Sequence, residues 1–157
     1  MKTEIKWGII FSLVSLVWVT MEFYLGYHTT KIEQHPTFTM FFILPAILMM
    51  TAGIREKKSE LGGVISYKEA FLSGIIISIV VAILSPLVQV IFSNFINPNF
   101  YQTFIDYAVS HGKATKSEAE AYFNLKSYTI QSVIGAIVMG MITSAIAALF
   151  IRTKVEK

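Results

Sequence analysis

Long apolar runs alternate with short polar stretches along the chain, and four of the runs are long enough to cross a bilayer. The first covers residues 7–25, with Glu22 as its single acid. At ~1.5 Å rise per residue it reaches ~28 Å, close to the ~30 Å hydrocarbon core of a bilayer. The second, 38–54, is near the lower length limit. The third, 71–96, carries no charge; at ~39 Å it is too long to stand upright and must tilt, kink or protrude. The fourth covers 130–151. A lone strand leaves its backbone groups unsatisfied in lipid, so each run is expected to be helical. The pattern predicts an all-α fold: an integral membrane four-helix transmembrane bundle, a single domain over 1–157, with a short extracytoplasmic helical lid between spans 3 and 4.

The stretches between the runs carry helix signals of their own. Pro36 is placed to open the second helix in its first turn. Ser66-Tyr67-Lys68-Glu69 reads as a capping box that starts the third helix before the membrane core. Pro45 and Pro86 fall mid-span and are expected to kink their helices. In the outer segment, 97–127, Asn97-Pro98 reads as a helix start, and Phe100, Tyr101, Phe104, Ile105 and Ala108 recur at helical spacing. Gly112 should stop that helix. Thr115-Lys116-Ser117-Glu118 is a second capping box, and no breaker follows before Arg152, so the fourth helix is predicted to project beyond the membrane. Lys2 and Lys6 ahead of the first run resemble a signal peptide, but the run is too long and lacks a small-residue cleavage pattern; a retained helix is expected.

Composition narrows the class further. The chain is 54% hydrophobic and 15% charged, against roughly 25% charged residues in soluble domains. That disfavours a soluble globule, a disordered tail or a nucleic-acid module. Cysteine is absent, which removes disulfides, thiolate metal sites and a lipidated anchor cysteine. The thirteen Lys and Arg residues sit in short runs beside the apolar segments. Nine lie on one side (Lys2, Lys6, Arg55, Lys57, Lys58, Lys68, Arg152, Lys154, Lys157) and four on the other (Lys31, Lys113, Lys116, Lys126). The positive-inside rule then places both termini in the cytoplasm. Trp7 fits the inner aromatic belt, and Tyr24, Tyr27 and Tyr128 the outer one.

Polar and small residues inside the spans are the candidate functional positions. On the first helix Gly8, Ser12, Ser15, Val19, Glu22 and Gly26 fall on one stripe at heptad spacing, which should face the other helices. Glu22 is the only ionisable residue within a predicted span, and no Lys or Arg lies in a span to neutralise it. Intramembrane acids serve proton relay, cation binding or pairing; interfacial anchoring is the plainer duty here. Gln89 and Ser85 on the third helix complete the polar set, with Gln89 expected toward Glu22. Gly74, Ser78 and Ala82 on the third helix and Ala136, Gly140, Ser144 and Ala148 on the fourth form small-residue series that let backbones approach closely. Packing within the chain is the first expectation for them, and homo-oligomerisation through the same seam the second.

Chemistry beyond this is sparse. His28, His35 and His111, with Glu33 and Asp106, all fall on the outer side, but no His-x-x-x-His or His-Glu-x-x-His spacing joins them, so solvated loop histidines and no metal are expected. No nucleophile elbow, P-loop, dinucleotide fingerprint or paired intramembrane aspartates occur. No catalytic residue and no cofactor is expected.

The stretch Gly63-Val64-Ile65-Ser66-Tyr67-Lys68-Glu69-Ala70-Phe71-Leu72-Ser73-Gly74, with Ile96-Asn97-Pro98-Asn99-Phe100 after the third span, resembles the bacterial four-span family catalogued as domain of unknown function 4199. The resemblance runs from the first span to the last. It implies a bacterial cytoplasmic (inner) membrane protein and lends no catalytic or binding role to any residue. The sequence thus points to a non-enzymatic accessory, scaffold or lipid-interacting membrane protein. Its partners would be the lipid bilayer and a membrane protein or second copy of itself, with no nucleic acid. The alternative is a small ion- or proton-coupled transporter using Glu22 and Gln89. A polar cavity touching Glu22 would favour the transporter; a dry core would favour the scaffold.

Overall fold

Each of the four apolar runs forms a helix in the computed structural model, which describes residues 1–153. Helix α1 spans Lys2–Tyr24. The second run divides into α2, His35–Met40, and α3, Ile43–Glu60. Helix α4 spans Tyr67–Ile91 and continues through one π-helical turn, Phe92–Ile96. The lid consists of α5, Phe100–Ser110, and α6, Lys116–Tyr122, and α7 is Leu125–Ile151. No strand occurs among the described residues. Lys154 and Lys157, two of the basic residues in the orientation count, lie outside the described residues.

The prolines act differently from a simple mid-span kink. In an unbroken second helix Pro45 would have to supply an N–H to Phe41 O, and it has none. Leu44 N–H donates to Phe41 O instead, at 3.1 Å. That tight turn ends α2 and restarts the chain as α3, leaving Pro45 in a first turn where the missing N–H is harmless. Pro86 does lie inside α4. The carbonyl it deprives, Ala82 O, accepts from Ser85 Oγ at 2.9 Å, so the polar candidate Ser85 repairs the helix next to the proline.

Two further expectations about helix ends are corrected. Asn97 does not cap the lid helix. Its N–H donates to Phe92 O at 2.8 Å and closes the π turn, its carbonyl accepts from Phe100 N, and α5 starts at Phe100. Nor does one helix run from Thr115 to Arg152. The Thr115 capping box forms as expected, but Asn124 divides the segment. Its Nδ2 donates to Glu120 O and Ala121 O at 2.9 and 2.8 Å, ending α6, while its Oδ1 accepts from Ser127 N at 2.9 Å, starting α7. One amide side chain thus caps two helices, which the sequence shows only as an asparagine in a helical pattern.

Helix α4 sits at the centre, packed most extensively on α7 and then on α1. The α4–α7 seam is reciprocal: Ser144 fills the space over Gly74, and Ser78 fills the space over Gly140, so that a Cβ on either glycine would overlap the facing serine. Ser144 Oγ donates across the seam to Phe71 O at 2.8 Å. Gly74, Ser78, Ala82, Gly140, Ser144 and Ala148 are all buried, and Ala136 is partly buried. The small-residue series therefore closes within one chain. On α1, Gly8 lies against Val80 in the same manner, its Cβ position 2.5 Å from Val80 Cβ.

Helix α3 packs unevenly. Its second half buries Met49, Met50, Gly53 and Ile54 against Trp7, Ile77 and Ala147. Its first half leaves Ile43, Leu44, Ile47 and Leu48 exposed to the membrane. The start of α1, the end of α3, the start of α4 and the end of α7 meet at one end of the bundle, the basic end. There Thr3 bonds Glu60, Lys58 Nζ donates to Ile151 O at 2.9 Å, and Thr153 and Ile65 exchange two hydrogen bonds. The opposite end, capped by the lid, holds the histidines.

Candidate functional site

Glu22 sits in the last turn of α1 and is 2% exposed. The chain then reverses. Tyr27 N–H donates to Glu22 O and Gly26 N–H to Phe23 O, a Schellman closure that needs the positive φ of Gly26, +85°. The reversal brings His28 back over the helix end, fully buried. Helix α2 then supplies His35 and Thr39 from the second span.

Four side chains converge on the Glu22 carboxylate. Trp18 Nε1 donates to Oε1 at 2.7 Å, and Thr39 Oγ1 donates to the same oxygen at 2.6 Å. The second oxygen, Oε2, lies 3.4 Å from His28 Nε2 and 3.6 Å from His35 Nε2. The expectation of an acid without basic partners is therefore corrected: two imidazoles reach it from residues the sequence assigned to a loop. The reading of the histidines as solvated also fails at His28. Phe92, Phe100 and Phe104 surround its ring edge-on at 5.0–5.9 Å between centroids. Its Nδ1 is buried with no hydrogen-bond partner, a deficit that typically costs about 1–3 kcal/mol. Burial pushes the His28 imidazole below its ordinary pKa of 6.5, against the pull of the nearby carboxylate. His111, by contrast, is exposed and pairs loosely with Glu33.

Gln89 does not join this group. Its amide donates to Tyr101 OH at 2.8 Å and ties α4 to the lid helix α5. Ser15 Oγ donates to Ser12 O at 2.8 Å, within α1. Both line a groove of about 510 Å³ between α1, α3, α4 and α7, together with Ser12, Thr39, Ser78, Ser85 and Ser132. Every one of these polar side chains is already engaged: Ser12 with Gly8 O, Ser78 with Gly74 O, Ser85 with Ala82 O, Ser132 with Thr129 O and Thr39 with Glu22. Apart from Thr143 and the Gln89 amide, the groove presents hydrocarbon and hydroxyls that already donate within the protein.

A second cleft, of about 620 Å³, opens between α3 and α7 along the length of α3. Ile43, Ile47, Met139, Ile142, Ile146 and Phe150 wall it, and Arg55 and Lys58 close it at the basic end. Sequence reasoning missed this cleft, because it depends on how α3 and α7 are set against each other. It also missed a second buried acid. Glu4, 2% exposed, lies ahead of the first apolar run, with Lys57 Nζ at 3.4 Å and Ser73 Oγ donating to it at 3.4 Å.

The family model described as "Protein of unknown function (DUF4199)" matches residues 6–153. The chain belongs to the DUF4199 family. No match was found among curated proteins or among solved structures. Four helices long and apolar enough to cross a membrane make this DUF4199 member a multi-pass membrane protein.

Proposed function

We propose that this protein is a non-enzymatic, lipid-interacting membrane protein that holds an anionic phospholipid in the cleft between α3 and α7. One observation carries the reading: hydrocarbon walls run along the cleft and end at Arg55 and Lys58. That polarity matches an acyl chain below a phosphate, and ~300–1,000 Å³ is the usual size for a ligand site. Arg offers a fork of donors suited to phosphate oxygens. Within a bacterial inner membrane, the Lys and Arg distribution puts the basic end and both termini in the cytoplasm, where anionic headgroups attract such residues. Alkaline phosphatase fused after Lys157 should be inactive under this orientation, and a fluorescent protein there should be bright; an active phosphatase overturns it.

The transporter reading has less support. It needs Glu22 and Gln89 on one polar path, whereas the groove that Gln89 lines is not lined by Glu22, and its Ser12, Ser15, Ser78, Ser85 and Ser132 hydroxyls already donate within the protein. An accessory or scaffold role is compatible with bound lipid.

Native mass spectrometry of protein extracted in mild detergent tests the lipid site. Phosphatidylglycerol or cardiolipin should be retained in preference to phosphatidylethanolamine, and Arg55→Gln should lower that retention about tenfold. Equal retention of anionic and zwitterionic lipids by the parent protein overturns the proposal.

A further inference from the structure

The group around Glu22 pairs one carboxylate oxygen with two imidazoles at distances longer than good hydrogen bonds. Good N–H···O bonds span 2.7–3.2 Å. Glu22 Oε2 stands 3.4 Å from His28 Nε2 and 3.6 Å from His35 Nε2. One donor atom from each of the three residues lies within 4.8 Å of the other two. Around a tetrahedral ion with bonds of about 2.0–2.1 Å, neighbouring ligand atoms sit roughly 3.3–3.4 Å apart. Two edges of the triangle are thus close to the spacing that a shared ion sets.

The surroundings fit the same use. Trp18 and Thr39 both hold Oε1, which orients the carboxylate and leaves Oε2 facing the imidazoles, as outer partners of ligating carboxylates do. His35 Nε2 also lies 3.2 Å from Thr39 Oγ1, a contact that nitrogen would exchange for the ion. His28 is fully buried among phenylalanines with one ring nitrogen unpartnered and the other in a long contact. The ring's Nε2 faces the Glu22 carboxylate, and an ion held between them would use that nitrogen. His35 is partly exposed and gives an ion a way in.

We infer that Glu22, His28 and His35 form a binding site for one divalent transition-metal ion of the zinc type. Two imidazoles and one carboxylate suit Zn²⁺ or Co²⁺; hard ions such as Mg²⁺ and Ca²⁺ take oxygen ligands instead. The ion joins α1, the turn at Gly26 and α2, and so pins the first half of the second span to the first span. The site is separate from the α3–α7 cleft and does not depend on the lipid reading.

The test uses full-length protein in detergent, purified through a tag without histidine and stripped with a chelator. Zn²⁺ titration should give one equivalent bound per chain, competed by Co²⁺ and unaffected by millimolar Mg²⁺. Co²⁺ itself should produce visible ligand-field absorption from a nitrogen- and oxygen-ligated centre. Glu22→Gln, His28→Gln and His35→Gln should each weaken Zn²⁺ binding at least tenfold, while His111→Gln leaves it unchanged. Absence of stoichiometric Zn²⁺ binding by the parent overturns the inference, whatever the variants' folding. So does equal binding by a His35→Gln protein whose elution volume and circular dichroism match the parent.

Discussion

The two ends of the bundle solve the same packing problem in opposite ways. At the basic end Gly53, Gly74 and Gly8 let side chains of the facing helices seat directly on the backbone, and Met50, Ile54 and Ile77 fill what remains. At the histidine end the first half of α3 stays exposed, and an aromatic cluster from the π turn after α4, the lid and the start of α7 closes the top: Phe92, Phe100, Phe104, Phe123 and Tyr128. In lipid, helices gain no hydrophobic energy by associating, so tightness comes from dispersion and interhelical hydrogen bonds. Where small residues are available the helices close. Where they are not, bulky side chains leave clefts, and the polar groups collect under a protein-built lid. The tight end holds the helices together, the Glu22 group lies under the lid at the open end, and the α3–α7 cleft runs from that end down to Arg55 and Lys58.

Four experiments can break or sharpen that contrast. The largest effect is expected at the α4–α7 seam. Gly140→Leu drives a side chain into Ser78, and overpacking costs ~1–3 kcal/mol even where neighbours can yield. The facing atoms here include the Cβ and Cα of Ser78, so a loss at the top of that range is expected in thermal unfolding in detergent. Melting unchanged from the parent would mean that the seam is not formed.

Ile54→Ala should come next. Ile54 is fully buried at the closed end, and such truncations cost about 2–5 kcal/mol in water-soluble cores. Without a water-transfer contribution the cost should fall near 2 kcal/mol, read from steric-trap or denaturant unfolding. The same truncation at Leu48, which is 69% exposed on the first half of α3, should change stability by less than ~0.5 kcal/mol. Equal costs at the two positions would erase the contrast within α3.

Asn124→Ala should cost ~1 kcal/mol through loss of the α7 N-cap, and it also frees the Glu120 and Ala121 carbonyls. Faster amide exchange should be confined to α6 and the first turn of α7. Spread of that exchange into α4 would show the lid to be part of the core. The smallest effect concerns pH. Hydrogen bonds from the Thr115 hydroxyl and N–H hold the Glu118 carboxyl below its ordinary 4.5. A carboxylate lowered on folding stabilises above its unfolded pKa, and that contribution is lost as pH falls through the lower folded value. Protection of Ala119–Tyr122, corrected for intrinsic exchange, should therefore decline on acidification below the ordinary carboxyl value of 4.5 in the parent and stay flat in Glu118→Gln.

Hydropathy alone determined the four helices, because in hydrocarbon a backbone has no alternative to bonding itself. Local chemistry likewise made the Ser66 and Thr115 boxes, the stop at Gly112 and the inward stripe of α1 legible, since each depends on residues within one turn of each other. The small-residue series announced close packing, but only the tertiary structure paired Gly74 with Ser144 and Gly140 with Ser78. The break at Phe41–Phe42 and the double cap of Asn124 were decided by which carbonyl finds which donor in space. The group around Glu22 lay deepest. Its histidines stand six and thirteen positions away with no periodic spacing, and they meet the carboxylate only because Gly26 reverses the chain and α2 docks back over α1. Sequence spacing reports neighbours on one helix; it carries no record of where a turn at positive φ returns the chain.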